Sequence, residues 1–167
     1  MSVANTYRNE SDIDRNSLVV EAVQLVKQIN PKFFVFENVP AFLDTYCIDI
    51  DENQKLIKKT IAEHLSKQYD VNYSILDFAY YGSNSHRKRT IVIGVRKELN
   101  INPKSLFPNN KVAPTLRKLI GNLPKLIEMD EISETDIYHN FRKYDSKMLN
   151  WIHNTPEGCS AFDNENP

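Results

Sequence analysis

Residues 31–40 read Pro31-Lys32-Phe33-Phe34-Val35-Phe36-Glu37-Asn38-Val39-Pro40, an unbroken apolar run set between prolines and closed by a polar pair. A short apolar run bounded by turn residues predicts a strand buried on both faces, as in the sheets of layered α/β domains. Ligands of such sheets bind outside the carboxyl ends of the strands, and Glu37-Asn38 stands at that end. Taken alone, the pair reads as a polar stop to a buried strand.

Upstream, Leu18, Val19, Ala22, Val23, Leu25, Val26 and Ile29 recur at helical spacing, with Asn16 or Ser17 available as N-cap and Pro31 as terminator. Residues 1–14 are polar and aperiodic and read as a poorly ordered lead-in. Downstream, Leu56, Ile57, Thr60, Ile61, His64 and Leu65 form one stripe of a helix expected over residues 54–67. Residues 71–79 alternate as a strand does, and residues 90–95 are a second β-branched run. Between them lies Tyr80-Tyr81-Gly82-Ser83-Asn84-Ser85-His86-Arg87-Lys88-Arg89, too short for a crossover helix, so the two strands should be antiparallel neighbours. Helix, strand, helix, strand, strand predicts an α/β fold: the second half of a Rossmann-like doubly wound sheet with an antiparallel pair at its edge. Beyond it Pro103, Pro108, Pro114, Pro124, Pro156 and Pro167 break the chain into short pieces with one helix expected around residues 115–120. A boundary near residues 100–108 separates a unit over 15–100 from a loop-rich region over 101–167.

The formal net charge of the 167 residues is −1, which excludes a broadly basic nucleic-acid binder and leaves any DNA contact local. The basic residues that could make one are Arg87, Lys88 and Arg89, a cluster that by itself reads as a solvated turn. Two cysteines, Cys47 and Cys159, stand far apart without C-x-x-C pairing. They indicate neither a disulfide framework nor a zinc site, and His64, His139 and His153 show no ligand spacing, so no metal is expected. No apolar run approaches the length of a membrane span, and the chain reads as soluble and cytoplasmic.

The order of these features resembles DNA cytosine-5 methyltransferases of bacterial restriction-modification type. In that family an apolar strand ends in Glu-Asn-Val, and a later Tyr/Phe-Gly-Val-Pro-Gln-x-Arg-x-Arg turn opens another strand. Here these correspond to Phe36-Glu37-Asn38-Val39 and to Tyr81-Gly82 followed by Arg87 and Arg89. Asp14-x-x-x-Leu18, Pro114-Thr115 and Leu119-Ile120-Gly121-x-Leu123-Pro124 extend the resemblance over about residues 14–125. Ser83-Asn84-Ser85 replaces Val-Pro-Gln, so the glutamine that would brace the turn is missing.

The resemblance implies a partial methyltransferase catalytic domain over residues 15–100 and the start of a target-recognition region over 101–167. It implies that a cysteine thiolate adds to C6 of cytosine and that C5 then takes a methyl group from S-adenosylmethionine. Glu37 would serve N3 of the base, Asn38 its own loop, and Arg87 and Arg89 the flipped nucleotide and the backbone, with Ser85 and Lys88 also on DNA. Neither the Pro-Cys loop nor a G-x-G cofactor loop is found, so the cofactor-binding residues are unknown. The expected partners are double-stranded DNA, a second polypeptide carrying the Pro-Cys loop, and another copy of the chain joined through an exposed sheet edge. A non-catalytic DNA-binding module, or the remnant of a disrupted methylase gene, is the alternative.

Overall fold

A computed structural model of the chain describes residues 16, 18–156, 158–160 and 163; the lead-in expected over residues 1–14 lies outside them. The chain divides into two compact units, Met1–Leu116 and Arg117–Pro167.

Helix α1, Leu18–Ile29, buries Val19, Val20, Val23 and Val26, one stripe at helical spacing. Glu21 in its first turn and Lys27 in its last both oppose the helix dipole. Asn30, at φ 49°, closes the helix in the left-handed region, and Pro31 follows. The chain then enters β1, Phe33–Asn38.

Two short strands, β2 (Tyr46–Ile48) and β3 (Gln54–Leu56), pair antiparallel before α2, Ile57–Leu65. The helix expected from residue 54 therefore begins only at Ile57. The hairpin holds residues 54–56 because Lys55 is tied into it: its ammonium lies 2.8 Å from each of Asp49, Asp51 and Glu63. Asp49, its side chain 1% exposed, also meets His64 Nε2 at 2.7 Å. Cys47 is buried beneath the hairpin beside Thr60, and burial pushes its thiol up.

Strands β4 (Tyr69–Asp77) and β5 (Lys88–Arg96) complete a three-stranded sheet of order β1-β5-β4. Both pairings of β5 are antiparallel, so β1 and β4 run parallel to each other with the reversed strand between them. One face of the sheet, with Phe34, Val92 and Tyr69, packs against α1 and α2 to form the core. Gly94 sits opposite Phe34, and a Cβ there would lie 2.0 Å from the Phe34 ring. That ring packs edge-on to Tyr69 at 5.2 Å, and the Tyr69 hydroxyl donates to the Pro31 carbonyl at 2.8 Å.

The expectation that β1 is buried on both faces is corrected. Phe34 is buried, but Val35 is 60% exposed. On the same face of β1, Phe33 is 43% exposed and Glu37 is exposed as well. The Arg96 N–H donates to the Lys32 carbonyl, so by alternation Phe34, Phe36 and Asn38 bond β5. The amides of Phe33, Val35 and Glu37 point to the outer edge, where no strand pairs with them among the described residues.

The turn Pro103–Leu106 packs against β4 and β5, so the first compact unit runs past the boundary expected near residues 100–108. Further on are α3 (Leu116–Ile120), where a helix is expected, and α4 (Ser146–Asn154), where the sequence reading has only loops. The cap of α4 is Asp145, whose carboxylate accepts the Met148 N–H at 2.8 Å. No helix among the described residues is long and apolar enough to cross a membrane.

Two stability tests follow from this packing. Gly94→Ala forces a methyl into the Phe34 ring, and urea unfolding should show a loss of roughly 2 to 3 kcal/mol; an unchanged midpoint would contradict the packing. Burial acts to raise the Asp49 carboxyl, but hydrogen bonds from Lys55, the Ile50 N–H and His64 outweigh it and leave the group below its ordinary value. A lowered carboxyl stabilises the fold above its unfolded pKa of about 4 and loses that contribution as pH falls through the folded value. Asp49→Asn should therefore cost about 2 kcal/mol at neutral pH, with the gap to wild type closing in acid. A gap constant between pH 7 and pH 2, measured by denaturant titration, would contradict the assignment.

Candidate active site at the carboxyl end of the sheet

Because β5 runs against its neighbours, its first residues lie beside the last residues of β1 and β4. Glu37 faces Ile91 in the ladder, and Arg89 lies two residues earlier in β5, on the same face. Their side chains meet: Arg89 Nε is 2.9 Å from Glu37 Oε1, with the arginine side chain 19% exposed and the glutamate 49%. Arg89 Nη1 also donates to the Lys88 carbonyl at 2.8 Å, which fixes the plane of the guanidinium. On the opposite face Asn38 pairs with Thr90, and the Asn38 side-chain oxygen accepts the Val39 N–H at 2.8 Å. The chain then turns through Phe42–Asp44, whose Phe42 and Leu43 are buried.

Of the residues singled out in the sequence, the structure thus joins Glu37, Asn38 and Arg89 in one small region. Arg87 and Lys88 are exposed, and Arg87 makes no side-chain bond among the described residues. Its backbone is fixed by Phe78 N–H to Arg87 O and by Arg87 N–H to Ser85 O. Ser85 lies in a local hydroxyl turn, with its N–H and hydroxyl both near Ser83 Oγ.

Residues that sequence reasoning passed over also contribute. Asp77, at the end of β4, lies 3.1 Å from His86 Nδ1 and accepts the Ala79 N–H at 3.2 Å. The His86 contact is the main cause that holds the Asp77 carboxyl below its ordinary value. This pair ties the two ends of the turn together where the family's glutamine is replaced. Thr90 is buried, and its hydroxyl donates to the Pro40 carbonyl at 3.0 Å. Tyr80 is 62% exposed, because the turn Phe78–Tyr80 carries it off the end of β4. Its carbonyl is held by the Lys111 N–H at 2.8 Å.

The arrangement can orient a carboxyl group by a guanidinium and leave one side of it open to a ligand. The glycines show no cradle for S-adenosylmethionine among the described residues. Gly82 serves a left-handed turn against Lys111, Gly94 serves the Phe34 contact, and a Cβ on Gly121 would meet the carbonyl and side chain of Arg117 in the preceding helix. The residues present do not fit that cofactor on their own.

A family model described as C-5 cytosine-specific DNA methylase matches residues 1–163. The type II methyltransferase M1.HgaI of Avibacterium volantium is 31% identical over 98% of this chain and 45% of its own length. M.XorII of Xanthomonas oryzae is 32% identical over 75% of the chain and 28% of its own. For M.DdeI of Desulfomicrobium norvegicum the identity is 35%, over 78% and 31%. The chain thus spans less than half the length of these relatives. A crystal structure from E. coli, described as a prophage-encoded DNA modification methyltransferase, superposes with a TM-score of 0.57. It covers 93% of this chain and 43% of its own at 23% identity, a likeness of fold. The α/β sheet with its reversed strand is thus a methyltransferase fold, and with a family match over nearly its whole length the chain belongs to the C-5 cytosine-specific DNA methylases.

Proposed function

We propose that this chain forms the base-holding part of a DNA cytosine-5 methyltransferase of a restriction-modification system, with double-stranded DNA as its substrate. The observation that carries the reading is the 2.9 Å ion pair between Arg89 and Glu37, one residue from each of the two motifs. Glu37 places one carboxyl oxygen at N3 of a cytosine turned out of the duplex and accepts from its exocyclic amine with the other. A proton at N3 draws electron density from C6 and opens it to a thiolate. Arg89 orients the carboxyl group and offers its remaining N–H groups to the base carbonyl, while Asn38 fixes the loop. Arg87, Lys88 and Ser85 contact the phosphate backbone, which positions the protein without reading sequence.

The thiolate comes from elsewhere. Cys47 is fully buried and hydrogen-bonded to Thr60, and its raised thiol is no nucleophile. The Pro-Cys loop and the site for S-adenosylmethionine belong to the remainder of a methylase domain, on the same polypeptide or on a second one in the cytoplasm. The open edge of β1 is where such a strand, or another copy of the chain, can add. In this reading residues 15–100 are the catalytic part and those from 101 onward begin target recognition. The second reading, a non-catalytic DNA-binding module or gene remnant, is favoured by the lack of a cofactor cradle among the described residues.

One experiment tests the chemistry and one the DNA contact. In an assembly of the chain with a polypeptide carrying the Pro-Cys and glycine loops, Glu37→Gln should lower transfer of labelled methyl groups to DNA by about 100-fold or more. Equal labelling would sink the catalytic reading. For DNA contact, Arg87→Ala should flatten the dependence of log K on log salt by about one unit. An unaltered slope would remove Arg87 from the phosphate contacts.

A further inference from the structure

The geometry points to Thr90 as a positioning residue that couples the Glu37 loop to Arg89, an inference that rests on the cytosine site proposed above. Thr90 follows Arg89 in β5 and pairs with Asn38 in the ladder, so it adjoins both halves of the site. Its side chain is buried, and its hydroxyl donates to the carbonyl of Pro40, 50 residues away in sequence. Proline has no N–H, so the carbonyl is the only backbone group by which residue 40 can be fastened.

The loop has other anchors further along. Phe42 and Leu43 are buried, the Phe42 N–H donates to the Val39 carbonyl at 3.0 Å, and the Thr45 hydroxyl donates to the Ala41 carbonyl at 2.8 Å. Those contacts hold residues 41–45 without Thr90. What the Thr90 hydroxyl adds is a fixed exit for the chain directly after Asn38, and this sets the direction from which Glu37 projects. Among the described residues Arg89 is the one partner of the Glu37 carboxylate. A small drift of the end of β1 therefore separates the pair, and a misplacement of about 1 Å at a reacting group can cost two orders of magnitude in rate.

The variant Thr90→Val keeps the shape and removes the hydroxyl; Thr90→Ser keeps the hydroxyl. Thr90→Ala, which adds no bulk, serves if the valine variant does not fold. On the chain by itself, 15N–1H NMR reports hydrogen exchange of the Arg89 Nε–H that faces Glu37. Wild type and Thr90→Ser should show a protected signal, and Thr90→Val or Thr90→Ala should exchange roughly tenfold faster with the β5 amides unchanged. Exchange in the hydroxyl-free variants as slow as in wild type would overturn the inference, as would failure of serine to restore protection.

In the methyl-transferring assembly, loss of the hydroxyl should lower kcat about tenfold while KM for DNA stays within about twofold, and serine should restore it. Unchanged kcat overturns the positioning role. The exchange measurement needs neither DNA nor partner. Equal labelling with Glu37→Gln would remove the cytosine site, whereas slow exchange in the hydroxyl-free variants would remove the Thr90 coupling, so the two readings fail separately.

Discussion

The reversal of β5 is the constraint on which the rest depends. With only residues 78–87 between β4 and β5, the chain has no room for a crossover, and β5 must run back beside β4. By lying between β4 and β1 it brings its first residues to the ends of both. Arg89 reaches Glu37 on one side, and Asp77 closes on His86 on the other. Had the strand entered parallel, the guanidinium would stand at the far end of the sheet from the carboxylate.

The core explains why this end can be polar and open. Helices α1 and α2 cover one face, and the contact of Phe34 with Gly94 and Tyr69 lets β1 lie close to β5. The other face of β1 keeps Phe33 and Val35 exposed next to Glu37, and among the described residues no strand pairs with its outer edge. A carboxylate and guanidinium half in water attract each other weakly. A second wall and a stacked base would exclude that water and strengthen every interaction inside. The openness of the pair thus accords with a site completed by further protein and by DNA.

Much of this was legible in the residues. The apolar run at 33–36, the valine stripe of α1 and the β-branched run of β5 each carry their own period, and the motif order pointed to the family. Less legible were features that depend on partners distant in sequence. Gln54, Lys55 and Leu56 look like the first turn of α2, and only the carboxylates around Lys55 explain why they pair with Tyr46–Ile48. Arg87 and Arg89 are alike in sequence; the start of β5 separates them, because Arg89 lies inside the strand and meets Glu37, whereas Arg87 precedes it in the turn. Likewise Ser83-Asn84-Ser85 showed that a brace was gone, but not that Asp77 and His86 supply another. Helix α4 also carries readable signals, an N-cap at Asp145 and apolar residues Met148, Leu149, Trp151 and Ile152 at helical spacing, that the proline-punctuated surroundings obscured.

The most direct measurement of the central claim is chemical-shift mapping of the labelled chain with a duplex that carries cytosine opposite an abasic site, where turning the base out costs least. The largest changes should fall on Glu37, Asn38, Arg89 and Thr90, with smaller ones at Ser85, Arg87 and Lys88. Changes confined to other surfaces, or none under conditions where the chain is folded, would contradict a cytosine site at this end of the sheet.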